Sequence, residues 1–170
     1  MLVKTYGSAV QGIEATIITM EVNVSKGVNF MLVGLPDNAV KESQQRIDSA
    51  LREIEYHIPR KKVVINMAPA DIKKEGSFYD LPLAIGVLAA SEQMNAPEME
   101  HYVMMGELSL DGAIKPIKGV LPIAIKAREK GFKGFILPAQ NAREAAVVDN
   151  LEVYGVSHLK DVIDFFQGSN

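Results

Sequence analysis

Gly106-Glu107-Leu108-Ser109-Leu110-Asp111-Gly112-Ala113-Ile114-Lys115-Pro116-Ile117-Lys118-Gly119-Val120-Leu121-Pro122 opens a stretch that runs on to Gly134-Phe135-Ile136-Leu137-Pro138-Ala139-Gln140-Asn141. Tyr102 to Leu110 is strand-like, and Asp111-Gly112 is the strongest hairpin signal in the chain, since a type I′ turn needs positive φ at both central positions. A loop ending at Gly119 leads into a helix expected over Val120 to Lys130, and Phe135-Ile136-Leu137 reads as the next strand. A short helix from Asn141 to Val147, a strand from Leu151 to Tyr154 and a helix from His158 to Phe166 with Gly168 as terminator complete the chain. Alternation of strand and helix favours a partly parallel sheet covered by helices, here placed in the α+β class.

Working back from that stretch, Ile13 to Val24 alternates and is rich in Thr, Ile and Val, and Asn29 to Leu35 repeats that character after Ser25-Lys26-Gly27. Two antiparallel strands are expected there. From Asp37, a potential N-cap, Val40, Ile47, Ala50, Leu51 and Ile54 recur at helical spacing, so a helix should run to near His57-Ile58-Pro59. Lys62 to Met67 reads as a strand closed by Ala68-Pro69-Ala70, and Leu81 to Ala90 as a buried helix that tolerates Pro82 in its first turn.

The bulk properties bound the function without naming it. With 170 residues, 48% of them hydrophobic, the chain can bury a real core, and one domain over 1–170 is expected. A net charge of −3 supplies no global basic field, so nucleic-acid contact would need a local patch. The absence of cysteine excludes disulfides and thiolate metal sites and agrees with a cytoplasmic protein. The longest apolar run, Leu81 to Ala90, is well short of the roughly 18 residues of a membrane span, and no signal pattern opens the chain, so no membrane partner is expected.

Motifs for small-molecule chemistry fail on spacing. Gly34 to Ser43 joins a strand to a helix and contains Gly, Lys and Ser, but no glycine stands directly before Lys41 and Glu42 separates it from Ser43, which argues against a phosphate-binding P-loop. No dinucleotide fingerprint occurs. His57, His101 and His158 lack a second ligand at metal spacing, so no metal or cofactor is assigned to this chain.

The order Gly-Glu strand, turn, Pro116-Ile117-Lys118-Gly119 loop, helix and Ile136-Leu137-Pro138 strand end resembles the proteolytic domain of Lon proteases. Lys73-Lys74-Glu75-Gly76-Ser77-Phe78-Tyr79-Asp80-Leu81-Pro82 is similar to the Lon loop that leads into the helix bearing the nucleophilic serine. The resemblance implies a Lon-like, ribosomal-protein-domain-2-like fold. Matching helix starts puts Asp80 at the serine position, and matching the Pro-Ile loops puts Leu121 at the lysine position. An ionised carboxylate is a poor nucleophile toward amides and a leucine accepts no proton, so no catalytic residue is expected. Ser77 and Lys118, each three residues earlier, are the slipped-register alternative. Asp80 itself is expected to accept N–H bonds at the start of its helix.

Val33-Gly34-Leu35-Pro36-Asp37-Asn38-Ala39-Val40-Lys41-Glu42-Ser43 resembles the signature of the ComM/YifB magnesium-chelatase-like AAA+ ATPase family, and Asn66-Met67-Ala68-Pro69-Ala70-Asp71, Lys74 to Pro82 and Gly106-Glu107-Leu108 extend the match in order. The resemblance implies an N-terminal accessory domain ahead of a AAA+ module in the same polypeptide, which would bind ATP and Mg2+, assemble as a hexameric homo-oligomer and remodel DNA in recombination or natural transformation. The alternatives are an oligomerisation or scaffold module without DNA contact and an accessory domain of a metal-chelatase ATPase. Candidate DNA contacts are Arg60, Lys61, Lys62, Lys73, Lys74, Lys126, Arg128, Lys130 and Lys133, because phosphate neutralisation needs clustered cations. Glu53, Glu55, Glu75 and Glu129 alternate with them, as on an ordinary solvated face.

Overall fold

The computed structural model describes residues 1–168. Nine strands and six α-helices follow in the order β1 (Leu2–Gln11), β2 (Glu14–Ser25), β3 (Asn29–Val33), α1 (Asn38–Lys41), α2 (Ser43–Glu53), β4 (Lys62–Ala68), α3 (Asp80–Ala90), β5 (Tyr102–Met104), β6 (Glu107–Leu108), β7 (Ile114–Lys115), α4 (Val120–Glu129), β8 (Gly134–Pro138), α5 (Ala142–Ala145), β9 (Glu152–Val156) and α6 (Leu159–Gln167).

Seven strands form one mixed sheet in the order β3-β4-β2-β1-β5-β8-β9, and β6 and β7 form a separate small hairpin. β2 runs against its neighbours β1 and β4, while β3–β4, β1–β5, β5–β8 and β8–β9 are parallel. Six of the seven strands therefore point the same way, and their C-terminal ends, with the loops that leave them, share one end of the sheet.

Alternation along each strand sorts the side chains between two faces. Met20, Val22, Val63, Ile65 and Met67 are wholly buried and face α3. All eleven residues of α3 are buried, because it lies between the sheet and α2. Gly86 makes that approach feasible: a Cβ there would come within 2.7 Å of Val22 Cγ2. Thr5 Oγ1 crosses the interface to donate to the Pro82 carbonyl at 2.9 Å. The opposite face carries α4 and α5, with Tyr6 edge-on to Phe132 just after α4. The outer strands β3 and β4 have no helix on that side, and Met31 and Val33 remain 42% and 45% exposed there.

Several expected elements hold: Asp37 caps α1 by accepting from Val40 N at 2.8 Å, Pro82 sits in the first turn of α3, and Gly168 closes α6 in the left-handed region. Others are corrected. Residues 2–11 form a long strand that the alternation did not reveal. β3 pairs with β4 in parallel, not with β2, because β4 inserts between them. The single strand expected over Tyr102 to Leu110 breaks at Met105-Gly106 into β5 and β6, in different sheets. Only Gly112 of the Asp111-Gly112 pair has positive φ, so the β6–β7 connection is a wider loop than a two-residue type I′ turn. The helix expected from Asp37 to His57 divides at Glu42 and ends at Glu53.

Candidate functional site

The C-terminal ends of β1, β4 and β5 and the starts of α3 and α4 converge on two adjoining clefts. The first, 390 Å³, lies between the β1–β2 hairpin and the loop after β4 and is lined by residues including Gln11, Glu14, Asp71, Lys73 and Glu75. The second, 320 Å³, is lined by Ser8, Phe78, Met105, Lys118, Gly119 and Ile123 among others. Val10, Glu75 and Tyr79 belong to both. Burial pushes the Tyr79 hydroxyl well above its usual range, and the nearby Asp37 and Glu75 carboxylates add to the effect. At neutral pH Tyr79 is therefore a neutral hydrogen-bonding group.

Asp80 lies behind this wall, in the first turn of α3, with its side chain 1% exposed. Its carboxylate is held from both sides: Arg46 Nε donates to Oδ2 at 2.6 Å and Arg46 Nη2 to Oδ1 at 3.0 Å, while Leu108 N donates to Oδ2 at 3.0 Å. Arg46 Nη2 also reaches the Ala39 carbonyl at 2.7 Å. This fork fits the planar guanidinium, which makes two parallel bonds to one carboxylate. Burial pushes the Asp80 carboxyl up to about 6 even though Arg46 and the Leu108 N–H pull it down. The pairing holds the Arg46 guanidinium above its ordinary value. The expectation that Asp80 accepts N–H bonds from its own helix is corrected: Tyr79 occupies the N-cap, and the carboxylate joins α2, α3 and β6.

The alternative pair is also apart in its bonding. Ser77 Oγ donates to Glu107, whose carboxylate is 3.5 Å from Lys115 Nζ. Lys118 lines the second cleft beside Ser8, whose buried hydroxyl bonds to the Ala9 and Thr16 carbonyls at 3.0 and 3.2 Å. Leu121 is 36% exposed on the first turn of α4.

Among the candidate DNA contacts, Lys74 is corrected outright. Its side chain is fully buried, and Nζ donates to the Gly34 carbonyl at 2.7 Å and to the Pro69 carbonyl, so it cannot reach a phosphate. Burial lowers its pKa, against the opposing pull of Asp71. The remaining cations do not share one surface. Arg60, Lys61 and Lys62 lead into β4, and Lys130 and Lys133 precede β8 at the same end of the sheet, four strands away in the order, or about 19 Å. Lys126 and Arg128 lie in the last turn of α4. Lys73 projects from the opposite end of the sheet. Lys73 and Lys126 sit 3.7 and 3.3 Å from Glu75 and Glu129 respectively.

Sequence reasoning missed Arg46, the one side chain that explains Asp80. It stands among other polar residues of α2, and only the packing of that helix on α3 singles it out. Glu107 was visible as part of the Gly-Glu strand, but its link to Ser77 and Lys115 spans three separate segments.

Residues 20–141 match the family described as subunit ChlI of Mg-chelatase. The competence protein ComM of Haemophilus influenzae is 42% identical over 164 residues, 96% of this chain, and YifB of Salmonella typhimurium is 40% identical over 163 residues, 95% of it. The chain spans about a third of those relatives, 32% in each case. Lon protease 2 of Bacillus subtilis is 31% identical over 97 residues, covering 56% of this chain and 17% of the protease. With its mixed sheet and buried central helix, the chain belongs to the ComM/YifB group of Mg-chelatase-like proteins and carries their Lon-protease-like domain.

Proposed function

We propose that this domain is an accessory, non-hydrolytic part of a longer Mg-chelatase-like ATPase that acts on DNA. The observation that carries the first half is Asp80: the group at the start of α3 is locked by a two-pronged arginine contact and a backbone N–H, away from solvent. A nucleophile must present a free, deprotonated atom to substrate beside a base, and Leu121, at the start of α4, offers only hydrocarbon. ATP and Mg2+ would be bound outside these 170 residues, in a AAA+ module of the same polypeptide working as a homo-hexamer in the cytoplasm. The name of the Haemophilus relative, a competence protein, supports a role in DNA uptake or recombination.

Within that assembly Arg60, Lys61 and Lys62, with Lys130 and Lys133 farther along the same end, are the exposed cations suited to phosphate. Gel-shift titration against branched and single-stranded DNA at varied salt tests this. Binding that weakens as salt rises, and that falls in a Lys61→Glu, Lys62→Glu variant, supports DNA contact. No binding at low salt favours the scaffold reading, to which the wide separation of the cations already lends weight. Casein or peptide hydrolysis abolished by Ser77→Ala would overturn the non-hydrolytic reading.

A further inference from the structure

The two edges of the sheet are built to meet each other. β3 and β9 are its outermost strands, each five residues long, and both run in the common direction of the parallel strands. A second copy placed alongside by simple translation would therefore set its β3 parallel to this copy's β9 and continue the sheet. Exposed backbone edges invite such pairing unless something blocks them. Beside β3 the exposed large apolar residues concentrate: Val28 at 84%, Met31 at 42%, Val33 at 45% and Leu35 at 54%. Isolated apolar residues are ordinary on a surface, but four exposed ones between positions 28 and 35, on and beside an open edge strand, mark an interaction site. The Phe30 N–H bonds to its neighbour Asn29 Oδ1 at 2.8 Å, a local contact an incoming strand can replace.

Charge selects the occupant. The entry to β3 is flanked by exposed Lys26, Lys61 and Lys62, and the entry to β9 by exposed Asp149 and Glu152, with Lys133 one strand farther in. Parallel alignment brings these opposite clusters to the same end. Preserving the two faces of the sheet fixes the parity of the register, because Met31 and Val33 lie on the face of α4 and α5, as do Val153 and Gly155. The matching register sets Met31 against Val153, Leu32 against Tyr154 and Val33 against Gly155.

We propose that β3 of one copy of this chain adds in parallel to β9 of another, joining the domains head to tail through a continuous sheet. This goes beyond the accessory reading above and does not depend on DNA contact or on the ATPase. Such a contact is heterologous, so it closes into a ring or extends into a filament according to the rotation between copies.

The test is sedentary at first: analytical ultracentrifugation of the 170-residue chain over rising concentration should show association beyond the monomer. Reversing one edge with Asp149→Lys and Glu152→Lys, or the other with Lys26→Glu and Lys62→Glu, should weaken it by about tenfold or more, and an equimolar mixture of the two variants should restore it. All four positions are exposed, and unchanged thermal melts confirm that the fold is intact. The chain has no cysteine, so Met31→Cys with Val153→Cys should give intermolecular disulfides on mild oxidation, since adjacent strands lie about 4.8 Å apart. A chain that stays monomeric to about 1 mM, an association unmoved by reversing either edge, or a cysteine pair that fails to cross-link while association persists would each overturn the proposal.

Discussion

Lys74 and Asp80 flank the same loop and are both withdrawn from water, yet they are stabilised in different ways. Asp80 meets a full opposite charge in Arg46 and one backbone donor from β6. Lys74 meets the carbonyls of Gly34 and Pro69, while its own backbone pairs with Leu35 and Asp37 at 2.9 Å. The first arrangement is an ion pair whose loss strands a charge. The second is a clasp between the ends of β3 and β4 in which a cation satisfies dipoles. Breaking a buried ion pair from one side is costlier than losing hydrogen bonds to neutral acceptors, since a stranded charge has nowhere to be solvated.

The widest test of that difference is Arg46→Ala, which leaves the Asp80 carboxylate buried alone and should cost about 3–5 kcal/mol of unfolding free energy at pH 8. Urea titration checks it, and the loss should shrink at pH 5, where Asp80 takes up a proton. A cost below that of Lys74→Met would reverse the comparison.

The next effect is the pH dependence of the wild-type chain. The folded Asp80 carboxyl is raised from its ordinary 3.8 to about 6, so the folded state binds this proton more tightly than the unfolded state does. The stabilisation is complete below the unfolded value and is lost as pH rises through about 6, an effect of about 3 kcal/mol at most. Urea midpoints from pH 4 to 7 should fall accordingly, and Asp80→Asn should flatten that part of the profile.

Lys74→Met sharpens the other side. It keeps the apolar stem but leaves two carbonyls without their donor, and should cost about 1–3 kcal/mol. Because burial lowers the pKa of Lys74, the folded chain holds this proton less tightly than the unfolded chain does. The wild type should therefore gain stability from this group as pH rises above the lowered folded value toward the ordinary lysine range, a trend the variant lacks.

Much of this architecture was legible because its signals are local. The caps of α1 and α6, the apolar run Leu81 to Ala90 of α3 and the alternation of the last third depend on neighbours a few residues away. β1 escaped because its buried positions include Thr5 and Gly7, which do not look like core residues; at Gly7 the space belongs to Met20 Cε and Met105 Sδ, each 3.0 Å from where a Cβ would stand. The pairing of β3 escaped because strand order is a property of the whole sheet. β4, with Val63, Ile65 and Met67 buried, takes the more central place that the sequence neighbour β3 leaves to it.

Taken alone, the chain of residues marked most of the helical and extended segments, β1 apart, and established that it offers no thiolate chemistry. Tertiary structure decided which charges are reachable. It sank Lys74 beneath the loop, turned Arg46 onto Asp80, distributed the basic residues along separate parts of the molecule and left β3 and β9 as open edges. The reason is physical: propensity and patterning act over a turn or a strand, whereas burial and charge pairing depend on segments that meet only after the chain has folded.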